Sequence, residues 1–172
     1  MIFRMLTAFG KRALPVISNE HNMIHGGKYF TAQVANAALG AAASLLIEMI
    51  VPANVEAHLK RFSYYNGDDG EFEFIEAPTI TTGASVLTAY NRNRESIKAS
   101  GIVLKSNPTG ISGGTLLENM FFKGTNQTPS ILIDRDVEWV LKQGTTYLLR
   151  LTNDGAAAEQ ALLKASWYEI AE

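Results

Sequence analysis

Between Val137 and Thr152 the chain reads VEWVLKQGTTYLLRLT, with apolar residues recurring at every second position on both sides of one glycine. Val137, Trp139 and Leu141 share one face of an extended segment, and Tyr147, Leu149 and Leu151 share one face of the next. Gln143-Gly144-Thr145 separates the two halves, so the spacing predicts two β-strands joined as a hairpin. Pairing Leu141 with Tyr147 sets Trp139 opposite Leu149 and Val137 opposite Leu151 on a wholly apolar face. The other face then pairs Lys142 with Thr146, Val140 with Leu148, and Glu138 with Arg150 as opposite charges, each pair contributing roughly 0.2–1 kcal/mol. A slip of one residue sets Val137 against Arg150 and Glu138 against Leu149, which this register avoids.

Similar short runs fill the rest of the chain. KYFTAQV follows a turn at Gly26-Gly27 and reads as a strand, whereas the alanine-rich stretch from Ala37 to Ala43 favours helix. Ser44 to Val51 is apolar on both faces and stops at Pro52, and reads as a buried strand, with a helix as the alternative. Val55 to Tyr65 and Glu71 to Glu76 alternate on either side of Asn66-Gly67-Asp68-Asp69-Gly70, so they are expected to pair across that turn. Further strands are expected over Val86 to Tyr90 and Ser96 to Lys105, with a turn at Asn107-Pro108-Thr109-Gly110. Thr115 to Phe122 reads as a strand or a short helix, Ala156 to Gln160 as one helical turn, and Ala161 to Ala171 as a closing strand.

Short strands spaced by about 8–15 residues, with Gly, Asn, Asp and Pro between them, point to an all-β fold. The expected architecture is an antiparallel β-sandwich, jelly-roll-like, with a short N-terminal arm. Residues 1–17 form the arm and residues 18–172 a single β-sandwich domain. No regular βα alternation suggests a parallel sheet.

The chain has 172 residues, enough for one sizeable core, and 47% of them are apolar. A net charge of −2 gives no reason to expect nucleic acid or an anionic membrane as partner. Without cysteine, neither a disulfide framework nor a thiolate metal site is possible. The apolar run from Ala37 to Val51 contains Glu48 and falls short of the ~20 residues that span a bilayer. At the N-terminus the positive charges mostly follow the apolar residues, the wrong order for a secretory signal. Ile2, Phe3, Met5, Leu6 and Phe9 lack strand alternation and would leave an exposed apolar patch on a monomer. They are expected to pack on another subunit, with Arg4, Lys11 and Arg12 placed to meet acidic groups.

Candidate chemistry is sparse. His21 and His25 stand in HNMIH, a spacing that would share a helix face, but no Glu follows the first His and two glycines follow the second. His58 is the only other histidine, so a His-x-His metal set is absent and loop histidines are expected. NGDDGE at Asn66 to Glu71 lacks the spacing of an EF-hand, and ISGGT at Ile111 to Thr115 lacks the lysine of a phosphate loop. There is no cysteine nucleophile and no Gly-x-Ser-x-Gly elbow, and Asp134 and Asp136 have no partner base close in sequence. No catalytic, cofactor-binding or metal-binding residue is expected, and the chain is not expected to be an enzyme. Arg92 and Arg94 in NRNRES suit a carboxylate grip or a salt bridge across a subunit contact.

Several motifs occur in an order that carries a family likeness. They are Glu20-His21, Ile24-His25-Gly26-Gly27 and Tyr29-Phe30; then PTITTG at Pro78 to Gly83 and NRNR at Asn91 to Arg94. EWVLK from Glu138, TYLLR from Thr146 and a closing Trp167-Tyr168-Glu169 complete the order, which covers about Ser18 to Glu172. In this the chain resembles the small virion structural proteins of tailed bacteriophages, of the head-decoration or capsid-cement kind. The resemblance implies a β-sandwich or jelly-roll subunit, often trimeric, that binds the outside of the head and braces it, with no catalytic residues. It implies the major capsid protein as partner, and a place on the virion surface after assembly in the bacterial cytoplasm. Subunit or capsid contacts are expected at Ile2, Phe3, Arg4, Leu6 and Phe9 of the arm, and at Arg92 and Arg94. The alternative is a receptor- or glycan-binding β-module of a tail fibre, which a rim of exposed aromatics at Tyr64, Tyr65 and Trp167 would favour.

Overall fold

The computed structural model describes residues 3–4, 15–16, 18–82, 85–123 and 133–170. Strands β1 (Phe3–Arg4) and β2 (Pro15–Val16) form a small ladder, and a two-turn helix α1 (Asn19–His25) follows. Then come β3 (Tyr29–Leu39), β4 (Ser44–Ile50), β5 (Glu56–Asn66), β6 (Gly70–Glu76), β7 (Thr79–Thr82), β8 (Ser85–Val86) and β9 (Tyr90–Asn91). The chain continues through β10 (Val103–Ser106), β11 (Thr109–Ser112), β12 (Thr115–Phe122), β13 (Ile133–Leu141), β14 (Thr146–Asn153) and β15 (Glu159–Ile170).

Two antiparallel sheets form a sandwich. One has the order β13-β5-β15-β3-β9 and the other β12-β6-β14-β4-β10-β8. From β3 to β6, and again from β12 to β15, each strand lies in the opposite sheet from its predecessor. The inward residues of both sheets make one core. Phe62 and Tyr64 of β5 stack on Phe72 of β6 with ring centres 4.5 and 4.6 Å apart, and Trp167 of β15 stacks on Phe30 of β3 at 6.0 Å. Phe62, Tyr64, Phe72, Phe74, Leu149 and Trp167 are fully buried, each such side chain contributing about 1.5–3 kcal/mol.

A second, smaller core lies on the outer face of the six-stranded sheet. Leu46, Leu148 and Ile75 point outward there, and the β7–β11 ladder folds over them with Ile80 and Ile111. This explains why β4 and β14 are apolar on both faces.

The hairpin expected over Val137 to Thr152 does not form. β13 pairs with β5 in one sheet, while β14 pairs with β4 and β6 in the other. Gln143-Gly144-Thr145 is an arch between sheets, with Gly144 at φ 67°. Alternation specifies which residues face the core, and two strands facing each other across it satisfy that as well as two strands side by side. Glu138 and Arg150 accordingly lie in different sheets, and Arg150 makes a bidentate pair with Glu73, its ladder neighbour on β6. The expected pairing of β5 with β6 fails in the same way, since Asn66 to Gly70 also crosses between sheets.

Other expectations change locally. Asn19 to His25 is helix, capped by Ser18 accepting from the His21 amide at 3.3 Å, where loop histidines were expected. Ala37 to Leu39 is the end of β3 and Gly40 to Ala43 a turn, where alanine propensity favours helix; pairing with β15 overrides it. Only Val103–Ser106 of the stretch from Ser96 is strand, and Thr109–Ser112 pairs with β7, so Thr109 and Gly110 of the expected turn are strand. The buried strand over Ser44 to Ile50 and the closing strand β15 form as expected.

Candidate functional site

The polar side chains gather on the outer face of the five-stranded sheet. Positions that alternate away from the core place Tyr29, Thr31 and Gln33 of β3 there, beside Lys164, Ser166 and Tyr168 of β15. Arg61 of β5 joins them because β5 carries one extra residue, Lys60, between the partners of Ser166 and Trp167. That irregularity follows from two consecutive polar residues breaking the alternation of HLKRF.

One end of this face is covered by α1 and the segment after β9. Glu20, in the first turn of the helix, accepts a hydrogen bond from Arg92 at 3.0 Å. The Arg92 guanidinium lies 4.9 Å from the centre of the Tyr29 ring, a cation–π contact that sandwiches the tyrosine against the sheet. Tyr29 is fully buried, and its hydroxyl is pushed up to about 12, first by burial and then by the Glu20 charge; Arg92 and Arg61 oppose this.

Beside it the Tyr168 hydroxyl donates to Glu138 at 2.6 Å and lies 3.0 Å from His58 Nδ1. His58 Nε2 is 3.0 Å from Glu56, and Lys60 donates to Glu138 at 3.5 Å. Burial, then the bond to Glu138, pushes the Tyr168 hydroxyl up to about 12. The same bond, more than the charge of Lys60, holds the Glu138 carboxyl below its ordinary value. The shifts move the two groups apart, which keeps the proton of this hydrogen bond on the phenol.

In the middle of the face is a recess of about 220 Å3. Thr31, Ser63 and Ser166 border it with hydroxyls, and Arg61, Arg92 and Lys164 with cations. Thr31 donates to the Ala165 carbonyl at 3.0 Å, and its hydroxyl is 3.1 Å from that of Ser166. A larger recess of about 540 Å3 opens at the sheet end beside Lys28, Phe30, Val55 and Glu169. Its carboxylate is committed to structure: Glu169 accepts from Ser100, the Gly101 amide and Trp167 Nε1 at 2.5, 2.8 and 2.8 Å.

Of the residues expected at contacts, Arg92 borders the polar recess and Arg94 lies nearby, over the Tyr90 ring at 5.8 Å. Phe3 and Arg4 pair with Val16 and Pro15 in the ladder of the arm, and Ile2, Leu6 and Phe9 lie outside the described residues. The glycan rim is not formed, because Tyr64 and Trp167 are core residues and Tyr65 is half-buried. His21 and His25 do share a helix face, with rings 4.3 Å apart, and among the described residues no group of three or more His, Asp or Glu could hold a metal ion. Arg61, Lys164 and Tyr168 were missed as a group. Their strands were legible, but which strands become neighbours was not. No protein-family model matches the chain, and no curated protein is significantly similar to it in sequence.

Proposed function

We propose that this chain is a structural protein of a bacteriophage virion, a decoration or cement subunit that binds the outer surface of the head as a homotrimer. The observation that carries the reading is the strand order. The strands β3-β15-β5-β13 face β4-β14-β6-β12, with the chain crossing between sheets at nearly every step. That order supports a jelly-roll reading, an architecture used by viral capsid and lectin domains. The order of sequence motifs from Glu20 to Glu169 supports the same family.

The space between the sheets is filled by stacked aromatic rings, so a partner has to be met on the outside. For such a subunit the work is mechanical. Contacts that form only on the expanded shell add their binding free energy to that state and stabilise it by linkage. A cyclic trimer suits three-fold positions of an icosahedral lattice. The direct test is addition of purified protein to expanded heads that lack decoration. Saturable binding to the outer surface, with a raised disruption temperature of the heads, is expected. Heads that neither bind the protein nor gain stability would defeat the proposal.

A further inference from the structure

We infer that the recess bordered by Thr31, Ser63, Ser166, Arg61, Arg92 and Lys164 is an oxyanion site that receives one carboxylate from an acidic side chain of a protein partner. The inference stands on the chemistry of the recess and does not depend on the decoration reading. Three cations from separate segments border the recess together with three hydroxyl residues. Guanidinium and ammonium groups beside a polar recess match an oxyanion, whose hydrogen bonds to charged donors are the strong ones. At about 220 Å3 the recess is smaller than the roughly 300–1,000 Å3 of small-molecule pockets, so it holds a head group rather than a whole ligand.

Charge accounting favours a singly charged group. Arg92 is paired with Glu20. Asp136 and Asp134 of β13 are the ladder neighbours of Arg61 and Ser63, which places acidic positions along that side. β13 lies two strands from β15, about 9–10 Å away, so those positions are remote from the strand that carries Lys164. Lys164 has no ion-pair partner among the described residues, and it sits between Gln33 and Ser63 in the ladder. One unmatched ammonium beside hydroxyl groups suits a carboxylate better than a doubly charged phosphate.

Acetate and inorganic phosphate, each titrated against chloride at fixed ionic strength, are to be followed through the amide resonances of Thr31, Ser63 and Lys164. Acetate is expected to shift all three in a saturable way. Lys164→Gln should weaken this at least roughly fivefold, as for loss of one charge-assisted contact, while Lys164→Arg retains it. Lys123→Gln, outside the recess, should leave it unchanged. The inference is overturned if phosphate alone binds, if neither anion shifts these resonances, or if Lys164→Gln binds acetate as well as the parent protein does.

Discussion

The side chains of Asn66 and Asn153 are hydrogen-bonded to each other at 3.1 Å, and both residues are fully buried. Asn66 also donates to the Asp68 and Asp69 carbonyls at 3.1 and 2.9 Å. Asn153 donates to the carbonyls of Leu39 and Ala157 at 2.9 and 2.8 Å. Three connections that cross between the sheets are thereby tied at one end of the sandwich.

Removal of this tie should be costly, because a buried carbonyl left without a donor costs about 1–3 kcal/mol. Asn153→Ala strands several acceptors at once and is expected to lower stability by at least ~2 kcal/mol in urea unfolding. A loss under about 0.5 kcal/mol would mean that water takes over the amide's role.

A second tie predicts a pH effect. Lys142 donates its amide to the Tyr147 hydroxyl at 2.8 Å and its ammonium to Glu76 at 2.7 Å, and Tyr147 donates to Glu76 at 3.0 Å. Glu76 is held below its ordinary 4.5, chiefly by the hydrogen bond from Lys142. A lowered carboxyl stabilises the fold fully above 4.5, and that contribution is lost as pH falls through the folded-state value. The stability advantage of the parent protein over Glu76→Gln should therefore shrink on acidification below 4.5, as read by thermal unfolding at each pH. An advantage that stays constant or grows there would contradict the assignment.

The arch between β13 and β14 makes a sharper test. Trp139 is half-buried and meets Phe74 of the opposite sheet edge to face, ring centres 5.9 Å apart. Trp139→Ala should cost about 2–3 kcal/mol, below the 3–5 of a fully buried ring. In double-mutant cycles Arg150 should couple to Glu73 by about 1 kcal/mol and to Glu138 by less than ~0.3 kcal/mol. Appreciable coupling of Arg150 to Glu138 would restore the hairpin.

These cases show what the sequence could convey. The inner faces were legible, since Leu141, Tyr147, Leu149 and Leu151 all lie in the core. Alternation is a local property and does not say whether two apolar faces lie side by side or face to face. The sign was present in β14, whose outward Leu148 is fully buried under the β7–β11 ladder. A hairpin exposed on one side would not bury that residue. For α1 the Ser18 cap and Gly26-Gly27 marked both ends, but seven residues are too few for apolar periodicity to show. Arg92 was singled out from its sequence run alone; Arg61 and Lys164 meet it only through the order β5-β15-β3-β9.

The last prediction concerns the arm. Among the described residues the arm ladder pairs Phe3 with Val16 and Arg4 with Pro15. If the arm serves assembly, deletion of residues 1–15 should leave the sandwich intact. Its Tm should move by less than about 3 °C, which corresponds to under ~1 kcal/mol for a domain of this size. Light scattering of the full chain should give a mass near three chains, and the deletion should lower that mass or weaken binding to phage heads. Substituting Phe3 and Phe9 by Ser should weaken assembly in the same direction, because it removes apolar area from the contact without shortening the chain. A trimer that survives both changes, with head binding undiminished, would assign the subunit contact to the sandwich itself. A collapse of Tm on deletion would instead place the arm within its own core.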